Sequence, residues 1–186
     1  MKISNRNFLI IVITYQTCVL GKLKDWNHEQ YLAYRTNPQI RAFLDTISYA
    51  EGTFHEYGYH TRYPGLYFSS FEDHPRITSC APYKGKALCA TAAGRYMILA
   101  KTWDKIAPSI KASHFSPLNQ DKAALELIRQ SHALSDILQG KFTAAIYKLN
   151  KIWATFPGAP FGQPTKTLDD LRKVYYQRLY HYLFPS

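Results

Sequence analysis

Acidic residues are scarce in this chain: 13 Asp and Glu stand against 23 Lys and Arg, a formal net charge of +10 over 186 residues. The excess favours an anionic partner, either a carboxylate-bearing envelope polymer or a nucleic acid. Also missing is any basic cluster interleaved with aromatics, because the positive charges are spread along the chain. That argues against a dedicated nucleic-acid stripe, so no nucleic acid is expected as a partner. There is no internal repeat and no low-complexity tract, and with 46% apolar residues the composition is that of a folded protein. The length suits one full domain and falls short of two.

Long apolar runs are absent too. Lys2 and Arg6 precede a continuous run only from Phe8 to Ile13, which weakens at Thr14–Thr17 and resumes at Cys18-Val-Leu20. This is too short and interrupted for a transmembrane helix and reads as an export signal over residues 1–21, with Val19 and Gly21 at the −3 and −1 places of a cleavage site. An uncleaved anchor or a buried strand is the alternative. Cysteine is sparse, at three residues. If Cys18 leaves with the signal, Cys80 and Cys89 remain, flanking a short Pro/Gly loop. They are either a disulfide of an oxidising compartment or two unrelated thiols.

What is present divides by character. Residues 22–37 form a polar and aromatic extension, with a possible helix from Asn27 to Tyr34 and a break at Pro38. Residues 38–186 form the main domain. A first core helix is expected over about Pro38–Ala50, carrying Ile40, Phe43, Leu44 and Ile47 on one face. Gly52, Gly58, Gly65 and Gly85 then punctuate aromatic and β-branched runs, the pattern of small hairpins and loops. Helices are expected again over Gly94–Ile106, from Ser116-Pro117 to about His132, and over Phe142–Ala154. A last one opens at Thr167-Leu-Asp-Asp170, with Leu171, Val174, Tyr175, Leu179 and Tyr182 facing inward. The fold class is α+β: a mostly helical body with a small β-hairpin lobe inserted after the first core helix.

The run Asp45-Thr-Ile-Ser-Tyr-Ala-Glu-Gly-Thr53 gives that architecture a chemical centre. Glu51 falls four residues after Ile47, so its carboxyl continues the apolar stripe, and Gly52 supplies a left-handed stop. Desolvation and the negative end of the helix dipole both raise its pKa. A carboxyl that stays protonated near neutral pH is what a general acid for glycosidic cleavage requires. The plain alternative is a helix-terminal Glu that reaches back to solvent.

Further motifs follow in order: Asp73-His-Pro-Arg76, Thr91-Ala-Ala-Gly-Arg-Tyr96, Phe115-Ser-Pro117 with Gln120-Asp121, and Ile152-Trp-Ala154 with Pro157-Gly-Ala159 and Phe161-Gly-Gln163. Together with Glu51-Gly-Thr53 they resemble the bacteriophage lambda endolysin family, lytic transglycosylases that cut peptidoglycan glycan strands. The resemblance spans roughly residues 38–180. It implies a lysozyme-like fold, Glu51 as the single catalytic acid and base, and peptidoglycan strands as partner. No cofactor and no metal ion are implied. An exported, monomeric enzyme acting in the periplasm or outside the cell is expected, without stable membrane insertion once the signal is removed. Tyr59, His60, Arg95, Tyr96, Met97, Trp153, Phe161 and Gln163 are the substrate-binding candidates. Two of them depart from the family pattern: His60 stands where an acidic residue is frequent, and Met97 where the family has Gln. Tyr is abundant, 15 in all, and pairs a ring face that stacks on sugar with a hydroxyl that hydrogen-bonds.

Hydrolytic glycosidases usually need two carboxylates. Glu56, Glu72, Asp73 and Asp104 are available, and no spacing forces any of them toward Glu51. A transglycosylase escapes the need, because a tethered C6 hydroxyl attacks its own C1 at an effective molarity of about 10⁵ M or more. Two other classes of function compete with this reading. His55, Glu56, His60, Asp73 and His74 lack the spacing of zinc ligands one helical turn apart. A cationic envelope-binding protein without turnover is the non-enzymatic reading.

Overall fold

Asn37 ends one helix and begins the next. In the computed structural model, which describes residues 28–185, helix α1 (His28–Thr36) closes as the Asn37 N–H donates to the Tyr34 carbonyl at 3.1 Å. The Asn37 side chain then accepts from the N–H groups of Gln39 and Ile40 at 2.9 and 3.2 Å, and Pro38 takes the first position of α2 (Pro38–Ala50). A side-chain acceptor at the cap and a proline whose missing donor costs nothing there make a strong helix start. Ile40, Phe43 and Ile47 are fully buried. They face helix α7 (Leu168–Leu183), whose Leu171, Tyr175 and Leu179 are buried in turn. Phe43, Phe142 and Tyr175 form a three-ring cluster with centroids 4.9–6.2 Å apart. Each such pair contributes about 0.5–1.5 kcal/mol beyond its buried area.

The expected extension at 22–37 is not separate from this core over its described part. Tyr31 and Tyr34 are buried within it, and the Tyr31 hydroxyl donates to the Leu118 carbonyl at 3.3 Å. The export segment expected at 1–21 lies outside the described residues. Among the described residues no helix is long and apolar enough to cross a membrane.

After α2 comes the β lobe. Strands β1 (Thr61–Arg62) and β2 (Leu66–Tyr67) form one short antiparallel pair, and β3 (Ser79–Tyr83) and β4 (Lys86–Ala90) form another. Cys80 lies opposite Cys89 in the second pair and the two are joined by a disulfide. The helical body resumes with α3 (Ala100–Ile106), α4 (Pro117–Gln130), α5 (Leu134–Leu138) and α6 (Phe142–Leu149). The arrangement is α+β and lysozyme-like.

Two helices are shorter than the sequence suggests. The one expected from Gly94 begins only at Ala100, because Gly94 and Met97 hold φ of 76° and 46°, outside the right-handed helical region. Residues 93–98 instead close a tight turn, with the N–H of Ile98 donating to Ala93 and that of Ala93 to Ile98. The helix expected to reach Ala154 stops at Leu149. There the Asn150 side chain donates to the Pro157 carbonyl at 3.2 Å, and the chain turns over itself so that residues 152–155 face the β lobe. Helix α5 has no counterpart in the sequence reading. Its five residues are too few for a periodic pattern to stand out.

Candidate active site

Glu51 occupies the C-cap of α2, one step beyond the helix proper. The Gly52 N–H donates to Tyr49 and the Thr53 N–H to Ser48, the paired bonds of a Schellman ending, with Gly52 at φ 73°. This ending aims the Glu51 carboxyl across the seam between the helical body and the β lobe. There its Oε1 accepts a 2.5 Å hydrogen bond from the Thr155 hydroxyl. Burial pushes the Glu51 pKa up from 4.5 to about 7, against the smaller, opposing effect of the Thr155 bond. A carboxyl in that state carries its proton at neutral pH and can also give it up.

Glu51 lines a cleft of about 610 Å³. One wall comes from the β lobe, through Tyr63, Leu88 and Ala90. The other comes from the 152–163 segment, through Ile152, Trp153, Thr155, Phe161 and Gln163, with Met97 and Leu99 between them. Five of the nine residues singled out in the sequence therefore meet here: Glu51, Met97, Trp153, Phe161 and Gln163. Among the described residues that line the cleft, Glu51 is the one ionisable carboxyl, and no Lys or Arg joins it.

The remaining four do not face the cleft. Tyr96 is 1% exposed, and its hydroxyl donates to Asp121 at 2.7 Å, as does that of Tyr59 at 2.8 Å. Burial raises the pKa of Asp121 and of both tyrosines. The Arg95 guanidinium points away into the body, 2.9 Å from Asp45. His60 donates from Nδ1 to the Phe68 carbonyl at 3.0 Å and packs on Phe71, with ring centroids 4.2 Å apart. These side chains belong to the frame behind the cleft. Gln120 is central to that frame: its Oε1 accepts from the Arg95 N–H, and its Nε2 donates to the carbonyls of Phe115 and Tyr59. A Cβ on Gly94 would lie 2.3 Å from that Oε1, so glycine alone fits there. The turn it permits presents the Tyr96 carbonyl to the Trp153 indole N–H at 3.0 Å, which seats Trp153 in the cleft wall.

Asp73 and Arg76 pair at 2.8 Å, and Arg76 also reaches Asp104 at 2.7 Å. His74 is buried and held neutral. Its Nε2–H donates to Ile98, its Nδ1 accepts from the Arg76 N–H, and burial lowers its pKa. Among the described residues no group of three or more His, Cys, Asp or Glu is placed to hold a metal ion.

The sequence reading missed Thr155. Its role is checkable by substitution. Thr155→Val removes a donor to the ionised carboxyl and so favours the protonated form. The Glu51 titration midpoint should rise by about one unit, the worth of one charge-assisted hydrogen bond. Carboxyl-carbon NMR of Glu51 reads this directly. An unchanged midpoint would remove Thr155 from the site.

A helical body, a two-hairpin lobe and a half-buried acid at their seam define a lysozyme-like enzyme. The family model described as Endolysin matches residues 41–180, and the chain belongs to that family. It is 36% identical over 142 residues to the endolysin of Escherichia phage lambda, covering 73% of this chain and 87% of that one. To the endolysin of Escherichia phage P2 it is 35% identical over 154 residues, 75% of this chain and 92% of that one. In structure it is similar to bacteriophage lambda lysozyme complexed with a chitohexasaccharide. The TM-score is 0.72 at 34% identity, over 76% of this chain and 94% of that one. The protein is a lysozyme-like enzyme that degrades peptidoglycan.

Proposed function

We propose that this enzyme is a lytic transglycosylase, cutting the β-1,4 bond between N-acetylmuramic acid and N-acetylglucosamine and leaving 1,6-anhydromuramic ends. The observation that carries the proposal is that Glu51 is the one carboxyl among the described residues lining the cleft. Protonated Glu51 donates to the bridging oxygen as the C1–O bond breaks. The muramic C6 hydroxyl attacks C1 of the same sugar, and ionised Glu51 takes the hydroxyl proton, which resets the acid. A pKa of about 7 suits both halves of this cycle. The tethered nucleophile needs no second carboxylate to outcompete water. That a relative was solved with a chitohexasaccharide in place supports an extended glycan as ligand of this cleft. In this reading the exposed Phe161 ring stacks on a sugar face, Gln163 hydrogen-bonds sugar oxygens, and Met97 and Trp153 give the apolar floor. Residues 1–21 direct export to where the substrate lies, and the mature enzyme works as a monomer.

Mass analysis of released muropeptides tests the reaction. Products should be lighter by one water than hydrolytic ones, with no new reducing ends. Activity should also fail on strands whose muramic C6 hydroxyl is acetylated, since the nucleophile is gone while the leaving group is intact. Predominantly reducing ends would assign a hydrolase instead, whatever acetylation does.

A further inference from the structure

The β3–β4 hairpin forms part of the cleft wall without contributing to the core. Leu88, Cys89 and Ala90 face the cleft, yet no residue of either strand is buried. A two-stranded ribbon with one face only half-buried is marginal by itself. Beyond its own ladder and that partial packing, polar ties and one covalent bond help to hold it. The Arg62 Nη1 donates to Ser79 Oγ at 2.6 Å at the base. At the tip the Tyr83 hydroxyl donates to the Gly162 carbonyl at 2.7 Å, on the loop that carries Phe161 and Gln163 across the cleft. The Cys80–Cys89 disulfide staples the middle, and both cysteines are exposed to solvent. Thiols can therefore reach the cross-link, and what it holds in place is a substrate-facing wall. Closing a ring between cysteines nine positions apart favours the ordered hairpin on the order of a hundredfold over the open one.

We propose that the Cys80–Cys89 pair is a thiol-responsive staple of the cleft wall, so that enzyme activity follows its redox state. Reduction by a dithiol breaks the S–S bond and delivers two electrons and two protons to the cysteines, and the dithiol leaves as its own disulfide. The freed hairpin then loosens at the Tyr83–Gly162 tie, and the wall no longer lines up with the opposing loop. A disulfide oxidant such as oxidised glutathione reverses the step, taking the two electrons and departing as two thiols. Chains made in a reducing compartment are attenuated and gain full activity on reaching an oxidising one.

The test uses the full chain in a Cys18→Ser background, which removes the third thiol. Peptidoglycan turnover is measured on oxidised protein, on dithiothreitol-reduced protein and on the Cys80→Ser/Cys89→Ser double variant. The reduced and double-variant forms should both fall about tenfold, part of the hundredfold ordering advantage, and oxidised glutathione should restore the reduced form alone. Amide hydrogen exchange should quicken over residues 79–90 while α2 and α4 keep their protection. Reduced activity within twofold of oxidised would overturn the proposal. So would a parallel loss of protection in α2 and α4, which would make the bond a staple of the whole fold. Product analysis on the same digests reads anhydro or reducing ends separately, so failure of the transglycosylase reading is not confused with failure of this one.

Discussion

Glu51→Gln should fold, bind glycan and turn over at no more than about one-hundredth of the wild-type rate, the low end of what a general acid contributes. The amide keeps the shape of the carboxyl and can accept the Thr155 hydroxyl, but it has no proton to give. The same substitution should change stability in a pH-dependent direction. The folded-state pKa of Glu51 is raised, from 4.5 to about 7, so the native state prefers the protonated form. Its contribution is fully present below the unfolded pKa and is lost as pH rises through about 7, where ionisation is forced on a buried group. Fully ionised, it costs the fold up to about 3 kcal/mol. Glu51→Gln should therefore melt higher than wild type at pH 9, by roughly 5–10 °C, and show little gain at pH 4. Scanning calorimetry at the two pH values, alongside the turnover assay, reads both effects. A variant retaining a tenth of wild-type activity would discard the assignment.

The largest loss of stability should come from Asp45. Its Oδ1 accepts from Arg95 at 2.9 Å, and its Oδ2 from Arg178 at 2.6 Å and from the Tyr182 hydroxyl at 2.5 Å. This joins α2, the 93–98 turn and α7 through one carboxylate. The carboxylate is 9% exposed and Arg95 13%, so solvent screens the pair only weakly. Asp45→Ala strands two guanidinium groups around a hole. Losing one partner of a buried pair costs about 3–5 kcal/mol, and the melting temperature should fall by roughly 6–20 °C. Asp45→Asn keeps the volume and an acceptor and should fall less. A drop under about 2 °C for the alanine variant would show that the network carries little stability.

The place of Glu51 was legible in the sequence because local rules determine it: an apolar stripe of period 3.6 and a glycine stop are both read within fifteen residues. The same locality made Pro38, Ser116-Pro117 and Thr167 readable as helix starts. Thr155 was not legible, since it stands 104 positions from the carboxyl it touches and no spacing rule connects them. The partners of Arg95 and Tyr96 were not legible for a related reason. Their sequence neighbourhood admits a ligand-facing turn as readily as a structural cap with a core tyrosine. Tertiary packing turned both side chains inward, toward Asp45 and Asp121, so that within this turn the cleft is served by the Tyr96 carbonyl and by Met97.

Tyr31 and Tyr34 alter what counts as the unit of this molecule. The family model begins at residue 41, after α1 and inside α2. A boundary drawn there separates two buried tyrosines and the Asn37 cap from the core they complete. Family outline and folding unit thus differ at this end: the matched span begins inside α2, while part of the interior of this chain is closed by a segment upstream of it. A fragment of this chain cut at residue 41 would keep the part that performs the chemistry and lose α1, and with it some of the packing beneath that part.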